Sequence, residues 1–235
     1  CAQPCPSSSA ASIACRSGNG GDCAQPCRWK YALVEEKRPG EYYPIAQTGE
    51  GSFILNSKDL CMITHLPELI AAGASSLKIE GRAKSVYYTA VTANAYRCAL
   101  DEWKAAGYPA AFRPAPWIVE ELGKVSHRPY DTGFYLGGCS GQHTTEGSYL
   151  RDWRVMGVVT GYENGRLFAT QRNKLQTGDQ IELLEPGTPP FPLTVCQLRD
   201  GEGTPIDSTP HPTMLYSFAC DRPVRPGALI RKAAD

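Results

Sequence analysis

The first regular pattern along the chain is a series of short β-type runs between about Lys30 and Ser57. Residues that favour strands, such as Tyr, Val, Ile and Phe, recur in KYALVEE, EYYPIAQ and SFILNS. Turn-forming residues separate the runs, at Arg38-Pro39-Gly40 and at 49–51. The pattern therefore predicts a strand meander.

Helical periodicity follows from Lys58 to Gly73. The apolar residues spaced for one helix face are Leu60, Ile63, Leu66, Leu69 and Ile70. Asn56 or Ser57 can cap the start of this helix with a side-chain oxygen. The next stretch, SSLKIEGR at 75–82, is briefly apolar and ends in charge, which predicts a short strand.

Two further helices are expected, one from about Ser85 to Ala106 and one near 117–124. The longer helix should bury the residues Val86, Ala90, Ala93, Tyr96 and Leu100. Alternation of strand and helix is typical of a parallel α/β sheet. A complete eightfold barrel needs about 250 residues, so we expect a partial (β/α) TIM-like barrel segment.

The pattern becomes all-β after a Gly- and Tyr-rich linker. Two alternating runs meet at Glu163-Asn164-Gly165, and Asn-Gly is a strong signal for a tight hairpin. Four further short runs indicate a small closed barrel of about six strands. We therefore predict four parts of the chain. They are a disordered Ser- and Gly-rich segment (1–22), the end of an α/β barrel domain (23–126), a linker (127–149) and a β-barrel domain (150–235).

Composition and charge narrow the class of protein without identifying a partner. Apolar residues make up 42% of the 235 residues, charged residues make up 20%, and the formal net charge is zero. Such a chain has no overall field that attracts nucleic acid, so an RNA contact needs a local basic patch. Without an apolar run of about 18 residues or a secretion signal, we expect a soluble cytoplasmic protein. Because the chain begins with Cys rather than Met, we expect it to be a fragment.

The cysteines suggest a metal site. Six of the ten lie in the first 61 residues, which favours a shared metal over disulfides spread along the chain. Cys23 and Cys27 form a Cys-x3-Cys pair, and Cys61 lies in the first turn of a predicted helix, where the helix dipole favours a thiolate. We take these three as ligands, with Cys15 or Cys5 as the fourth. Iron and zinc both suit such ligands, and ordinary reduced thiols are the alternative interpretation.

The charged end of the predicted strand at 75–82 is a second candidate site. At the mouth of an α/β barrel, Lys and Arg side chains can hold carboxylates or phosphates, and a Glu can act as a base. The candidate catalytic residues are Lys78, Glu80 and Arg82, and the candidate substrate-binding residues are Arg28, Lys58 and Lys84. A solvated charge network is the alternative interpretation.

Three stretches resemble consecutive signature sequences of the peptidase U32 family, the collagenase-like proteins: GDCAQPCRWKY, FILNSKDLCMITHLPEL and AGASSLKIEGRAKSVYY. The β-type tail resembles the C-terminal half of that family. The resemblance implies an α/β barrel domain, a four-iron four-sulfur cluster in the members that act in the ubiquinone pathway and, in the RNA branch, prephenate as a hydroxyl source. Cys15 and Gly20 depart from the family pattern, and the upstream half-barrel of the family has no counterpart. We therefore expect either a chain truncated at its N-terminus or a beginning altered by a frame error or an alternative start.

Three functions are consistent with these features. The resemblance is strongest to the branch that forms 5-hydroxyuridine at the tRNA wobble position, which implies tRNA and a prephenate-like anion as partners. The second function is a collagenase-like peptidase acting on a peptide substrate, although no His-Glu-x-x-His helix or Gly-x-Ser-x-Gly elbow occurs. The third is an inactive fragment whose β-barrel binds RNA or a protein. None of the three involves a membrane.

Overall fold

The computed structural model describes residues 31–48, 51–54, 57–82, 84–137 and 149–234. The described residues up to Ser57 belong to one compact unit, and those from Lys58 onward belong to a second.

The first unit contains a three-stranded antiparallel sheet. Its strands are β1 (Ala32–Val34), β2 (Tyr42–Thr48) and β3 (Gly51–Ile54), in the order β1-β2-β3. Gly40 lies in the turn between β1 and β2 with φ of 94°, a conformation that glycine adopts without strain. The predicted meander is confirmed.

The second unit begins with a mixed α/β region. Its elements in chain order are β4 (Asp59–Leu60), a 3-10 helix (Ile63–His65), α1 (Leu66–Ala71), α2 (Val86–Ala105), α3 (Pro116–Gly123) and β5 (Tyr130–Asp131). Strands β4 and β5 pair in parallel. The two longer helices confirm the predictions for 85–106 and 117–124. None of the described helices is long and apolar enough to cross a bilayer. A TIM-like barrel segment stays a prediction, because β4 and β5 are the one parallel pair in the described part of the chain.

Two local predictions for this region are wrong. The helix expected from Lys58 begins later, because the backbone N–H of Asp59 donates to Pro129 O (3.0 Å) and that of Cys61 to Asp131 O (2.9 Å), which makes a strand. The strand expected at 75–82 is irregular, and among the described residues no strand pairs with it.

The buried face of α2 also differs from the prediction. Val86 is 84% exposed and Ala93 is exposed, while the buried side chains are Val91, Thr92, Ala95, Cys98, Ala99 and Trp103. Ala95, Cys98 and Ala99 pack with α1 and α3 in one core cluster. The amphipathic spacing of α2 is compatible with more than one buried face. Packing against α1 and α3 determines which face is buried.

The remainder of the second unit is an antiparallel sheet. Its strands are β6 (Trp153–Glu163), β7 (Arg166–Gln171), β8 (Gln180–Leu184), β9 (Phe191–Thr194), β10 (Arg199–Asp200), β11 (Leu215–Ala219) and β12 (Leu229–Ala233). Their order is β10-β11-β7-β6-β12-β8-β9, and the sheet curls into a half-barrel. The prediction of a closed barrel of about six strands is corrected, because within 149–234 the edge strands β9 and β10 do not pair. The predicted hairpin is confirmed: Asn164 and Gly165 have φ of 50° and 75°, as a type I′ turn requires.

The two faces of this sheet have different surroundings. The inner face carries the main core, which includes Leu167, Ala169 and Phe218. On the outer face at β8 and β12, Leu184 and Leu229 pack against Val91 of α2 and Val125. The helices therefore cover the β8–β12 part of the outer face.

Gly157 of β6 lies where a side chain has no room. A Cβ atom there would overlap the Tyr216 hydroxyl and lie 2.9 Å from Thr170 O. We expect Gly157→Ala to lower the free energy of unfolding by about 1–3 kcal/mol in urea denaturation. Gly161→Ala on the same strand is the matched control, because nothing lies within 4 Å of its added Cβ.

The Tyr216 hydroxyl is itself buried and has no hydrogen-bond partner in the part of the chain that the structure describes. Adding Tyr216→Phe to Gly157→Ala should therefore restore part of the lost stability, because it removes both the overlap and an unsatisfied polar group. Equal losses for the two alanine variants would contradict this account of the packing.

Candidate functional site

The second unit contains a cavity of about 710 Å³. Its walls come from β4, the irregular segment 74–80, α2 and β5. Of the residues that the sequence singled out, the cavity brings together Cys61, Lys78, Glu80 and Lys84. A cavity of this size accommodates a small organic molecule or a nucleobase with its sugar.

Tyrosines form much of the polar wall of the cavity. Tyr88, Thr92 and Tyr96 lie at i, i+4 and i+8 on one side of α2, and Tyr130 approaches from β5. Burial raises the pKa of Tyr88, Tyr96 and Tyr130, and the nearby Cys61 contributes in the same direction. These phenols therefore stay protonated at neutral pH and can donate hydrogen bonds.

Cys61 presents a free, half-buried thiol to the cavity. The Tyr96 hydroxyl lies 3.8 Å from its sulfur and accepts a hydrogen bond of 3.1 Å from the backbone N–H of Met62. Because Met62 occupies an acceptor position of the phenol oxygen, the Tyr96 O–H can be directed at the sulfur. The sulfur is thus held at the cavity wall beside a hydrogen-bond donor.

Lys84 joins several segments around the cavity. Its Nζ donates to Ser126 O (2.7 Å), lies 3.7 Å from Asp59 Oδ2, and sits 3.7 Å from the centre of the Tyr149 ring. Burial lowers the pKa of Lys84, and Asp59 opposes that shift. The same Asp59 oxygen accepts from the backbone N–H of Arg128 (3.0 Å). These contacts give Lys84 a structural role in addition to its position on the cavity wall.

Lys84 should therefore contribute to stability more than its surface neighbour Lys78. We expect Lys84→Met to lower the free energy of unfolding by about 2 kcal/mol, because Asp59 and the Ser126 carbonyl each lose the lysine as a partner. Lys78→Met is the control, with an expected change within about 0.5 kcal/mol because that side chain is 84% exposed. Thermal unfolding of both variants measures the difference. An equal effect of both would show that the contacts of Lys84 contribute nothing.

The charged residues of the segment 74–82 lie at the rim. Lys78 Nζ is 3.4 Å from Glu80 Oε2, and both side chains are exposed. The backbone N–H of Arg82 donates to Glu80 (3.0 Å), and this bond and the Lys78 contact lower the pKa of Glu80. A carboxylate with a lowered pKa is a weak base, so Glu80 is better suited to orienting Lys78 than to taking a proton.

Two of the candidate residues do not line the cavity. Arg82 is exposed and lies outside the cavity wall. Lys58 pairs with Asp131, with 3.6 Å between Nζ and Oδ2, and also lies outside it. The remaining candidates, Cys15, Cys23, Cys27 and Arg28, lie outside the described residues.

Cys61 is the one candidate metal ligand that lies within the described residues. Its thiol is unpaired and faces the cavity, as a ligating sulfur must. In 31–48, 51–54, 57–82, 84–137 and 149–234, no group of three or more His, Cys, Asp or Glu side chains is placed to hold a metal ion. Further ligands for Cys61 would therefore have to come from outside the described residues, where Cys15, Cys23 and Cys27 lie.

The structure adds residues that sequence reasoning missed or assigned otherwise. Tyr88 was not singled out, and Tyr96 was expected to be a packing residue. The recurrence of Tyr, Thr and Tyr every four residues along α2 is the signal that could have located this wall. Asp59 lies in strand β4 and contacts Lys84. His127 stacks on Tyr130 of β5, with ring centres 4.4 Å apart.

Comparison with known families identifies the class of protein. Residues 3–145 match the family model described as peptidase family U32, and residues 151–231 match the peptidase family U32 C-terminal domain. The chain therefore belongs to the peptidase U32 family.

Individual relatives carry two kinds of name. The tRNA hydroxylation protein P1 of Bacillus subtilis is 32% identical over 223 residues, which cover 92% of this chain and 52% of the relative. The tRNA hydroxylation protein P of Escherichia coli is 38% identical over 186 residues, covering 75% and 39%. A collagenase of Porphyromonas gingivalis is 28% identical over 184 residues, covering 73% and 41%. The chain thus spans about half the length of these relatives or less.

Among solved structures, the C-terminal domain of a Geobacillus thermoleovorans U32 peptidase is similar. It is 30% identical, with a TM-score of 0.33, and the match covers 34% of this chain and 99% of that one.

Proposed function

We propose that this chain is part of a tRNA hydroxylation protein that forms 5-hydroxyuridine at the wobble position, with prephenate as hydroxyl source. The observation that carries the proposal is the cavity, in which the Cys61 thiol, the Lys78 cation and protonated tyrosines lie together. The relatives named tRNA hydroxylation proteins support the choice of substrate.

A four-iron four-sulfur cluster is the proposed cofactor, held by Cys61 together with Cys23, Cys27 and Cys15, and zinc is the alternative occupant. Such a cluster supplies electron transfer or polarisation of a bound group, chemistry that protein side chains do not provide. Hydrogen bonds to ligating sulfur tune the properties of a cluster. Tyr96, 3.8 Å from the sulfur, is placed to make one.

The chain's own residues would bind and orient the substrates. Lys78 is long and exposed at the rim, so its ammonium group can reach a carboxylate of a prephenate-like anion. Tyr88 offers aromatic surface and a hydroxyl donor for a uracil ring. Tyr130 offers aromatic surface alone, because its hydroxyl donates to Leu122 O (2.8 Å). Apolar neighbours such as Leu69 and Leu77 limit the access of water to the reacting groups.

Peptide hydrolysis is less well supported by this cavity. Hydrolysis by a nucleophile needs a Ser or Cys with an adjacent base, or a metal-bound water. Among the described residues, the cavity wall includes Ser76 and Cys61 but no histidine. The likeness to a collagenase nevertheless makes proteolysis the outcome to exclude by experiment.

The proposed function is tested by deleting the gene from its source organism and measuring tRNA nucleosides by liquid chromatography and mass spectrometry. We expect 5-hydroxyuridine and its derivatives to disappear and to return with a plasmid copy. Unchanged modification would contradict the proposal. Incubation of the purified full-length protein with gelatin is the parallel assay, and cleavage there would favour the peptidase.

A further inference from the structure

On the outer face of the C-terminal sheet, Phe168 of β7, Leu215 of β11 and Arg199 of β10 are exposed. Among the described residues, the helices pack on this face at β8 and β12, where Arg231 is fully buried. On β7 the core residues Leu167 and Ala169 alternate with Phe168, which therefore points outward and is 38% exposed. Leu215 of β11 is 58% exposed on the same face.

Small residues surround the Phe168 ring on the neighbouring strands. The register partners of Phe168 are Gly161 on β6 and Ser217 on β11. An added Cβ at Gly161 would meet nothing within 4 Å, so the space beside the ring is open. One side of the Phe168 ring is thus accessible on the outer face of the curled sheet.

Two arginines lie on the same face of the sheet as this ring. Arg199 pairs in register with Ser217 and is exposed. Arg166 lies across β11 and donates to Ser217 O (3.2 Å) and Gln197 O (2.8 Å). Within the described residues neither arginine forms an ion pair with a carboxylate, so both charges are available to an anion.

The acidic residue nearest in register is Glu163, which pairs with Arg166 at the end of the hairpin. Its carboxylate accepts from the Asn164 amide at 3.4 Å. It makes no ion pair with Arg166, so the face keeps a positive local charge although the whole chain has none.

We propose that this outer face, defined by Arg166, Phe168, Arg199 and Leu215, binds a single-stranded segment of RNA. A base stacks on Phe168, and the two guanidinium groups contact the flanking phosphates. An accessible aromatic ring beside unpaired cations is the combination that single-stranded nucleic acid requires. Only the identity of that RNA as tRNA rests on the proposed function.

The proposal is tested by fluorescence anisotropy with the full chain and a labelled oligouridylate of about 12 nucleotides, over a series of salt concentrations. We expect Phe168→Ala to weaken binding about tenfold, and Phe168→Tyr to retain it because the ring remains. Arg199→Gln should reduce the slope of log K against log salt by about 0.7, the value for one lost phosphate contact on a single strand.

Arg154→Gln is the matched control. Val155 pairs in register with Arg231, whose side chain lies on the outer face, so Val155 lies on that face too. The adjacent Arg154 therefore lies on the other face, and it is exposed. We expect it to leave both affinity and salt slope unchanged, while Glu163→Gln should strengthen binding. Urea unfolding of each variant verifies that the sheet remains folded.

Parental affinity in both Phe168→Ala and Arg199→Gln would overturn the proposal, as would equal weakening by Arg154→Gln. A dimer that Phe168→Ala dissociates, with RNA binding unaffected, would identify the face as a protein interface instead. A failure of the proposed function gives a different result from a failure of the RNA-binding face. If Phe168→Ala loses oligouridylate binding while the parent does not hydroxylate tRNA, the RNA-binding face is supported and only the proposed activity is contradicted.

Discussion

Replacing Cys61 with alanine is expected to abolish tRNA hydroxylation and to remove most of the iron from the anaerobically purified protein. Among the described cysteines, only Cys61 lines the cavity. Alanine removes the thiolate and offers no other ligand at that position. Loss of one ligand from a four-cysteine set destabilises the cluster, so iron should fall well below about four atoms per chain. Iron and sulfide analysis, with nucleoside analysis of tRNA, measures both effects.

Cys196→Ala is the matched control for this prediction. Cys196 is also a free cysteine, but it is exposed and lies outside the cavity. Its replacement should leave iron content and hydroxylation at the parental level. Full iron content in Cys61→Ala would contradict the assignment of Cys61 as a ligand, whereas equal loss in both variants would point to general instability.

Replacing Arg231 with methionine is expected to cause the largest loss of stability, about 3–5 kcal/mol. Arg231 is fully buried between the sheet and the helices, and its Nη2 lies 2.5 Å from Glu121 and 2.6 Å from Glu182. Lys124 contacts the same two carboxylates, at 3.1 and 2.9 Å. Burial alone would lower the pKa of Arg231, but its hydrogen bond to Glu121 holds that pKa above the usual range.

The expected loss arises from charge left without compensation. With methionine at 231, Lys124 alone faces Glu121 and Glu182, of which Glu121 is 1% exposed. An unpaired buried carboxylate is costly, whereas neutralising both partners removes most of that cost. The double variant Arg231→Met with Glu121→Gln should therefore be more stable than Arg231→Met alone. Urea unfolding measures all three proteins.

Arg97→Met provides the control for a surface arginine. Arg97 pairs with Asp101 at 2.7 Å, but both side chains are about 60% exposed. An exposed pair four residues apart on a helix contributes little, so the change should be below about 0.5 kcal/mol. Similar losses for Arg97→Met and Arg231→Met would show that the buried network does not stabilise the unit.

The sequence predicted those elements whose signals are local. Asn164-Gly165 determined a hairpin because both residues tolerate positive φ, and the long periodic run gave α2 to within one residue at each end. The helix expected at Lys58 was wrong because strand β4 depends on hydrogen bonds to residues about seventy positions away. Such long-range pairing leaves no periodic signal in the segment itself.

The candidate site was predictable in part. Charged and thiol side chains were found because their chemistry is visible in the residue type, and four of them line the cavity. The structural role of Lys84 was not visible, since it depends on Asp59, Ser126 and Tyr149 from distant positions. The burial of Arg231 was not visible either. In sequence it resembles any basic residue of a terminal strand, because the helices that bury it are distant along the chain.

The central claim is that an iron-sulfur cluster and a small anion share the cavity beside Cys61. Electron paramagnetic resonance of the reduced, anaerobically purified protein, recorded before and after addition of prephenate, tests this claim most directly. The account predicts a cluster signal that prephenate shifts in the parent and that is lost in Cys61→Ala. A protein without any cluster signal, or a signal that prephenate leaves unchanged, would contradict it.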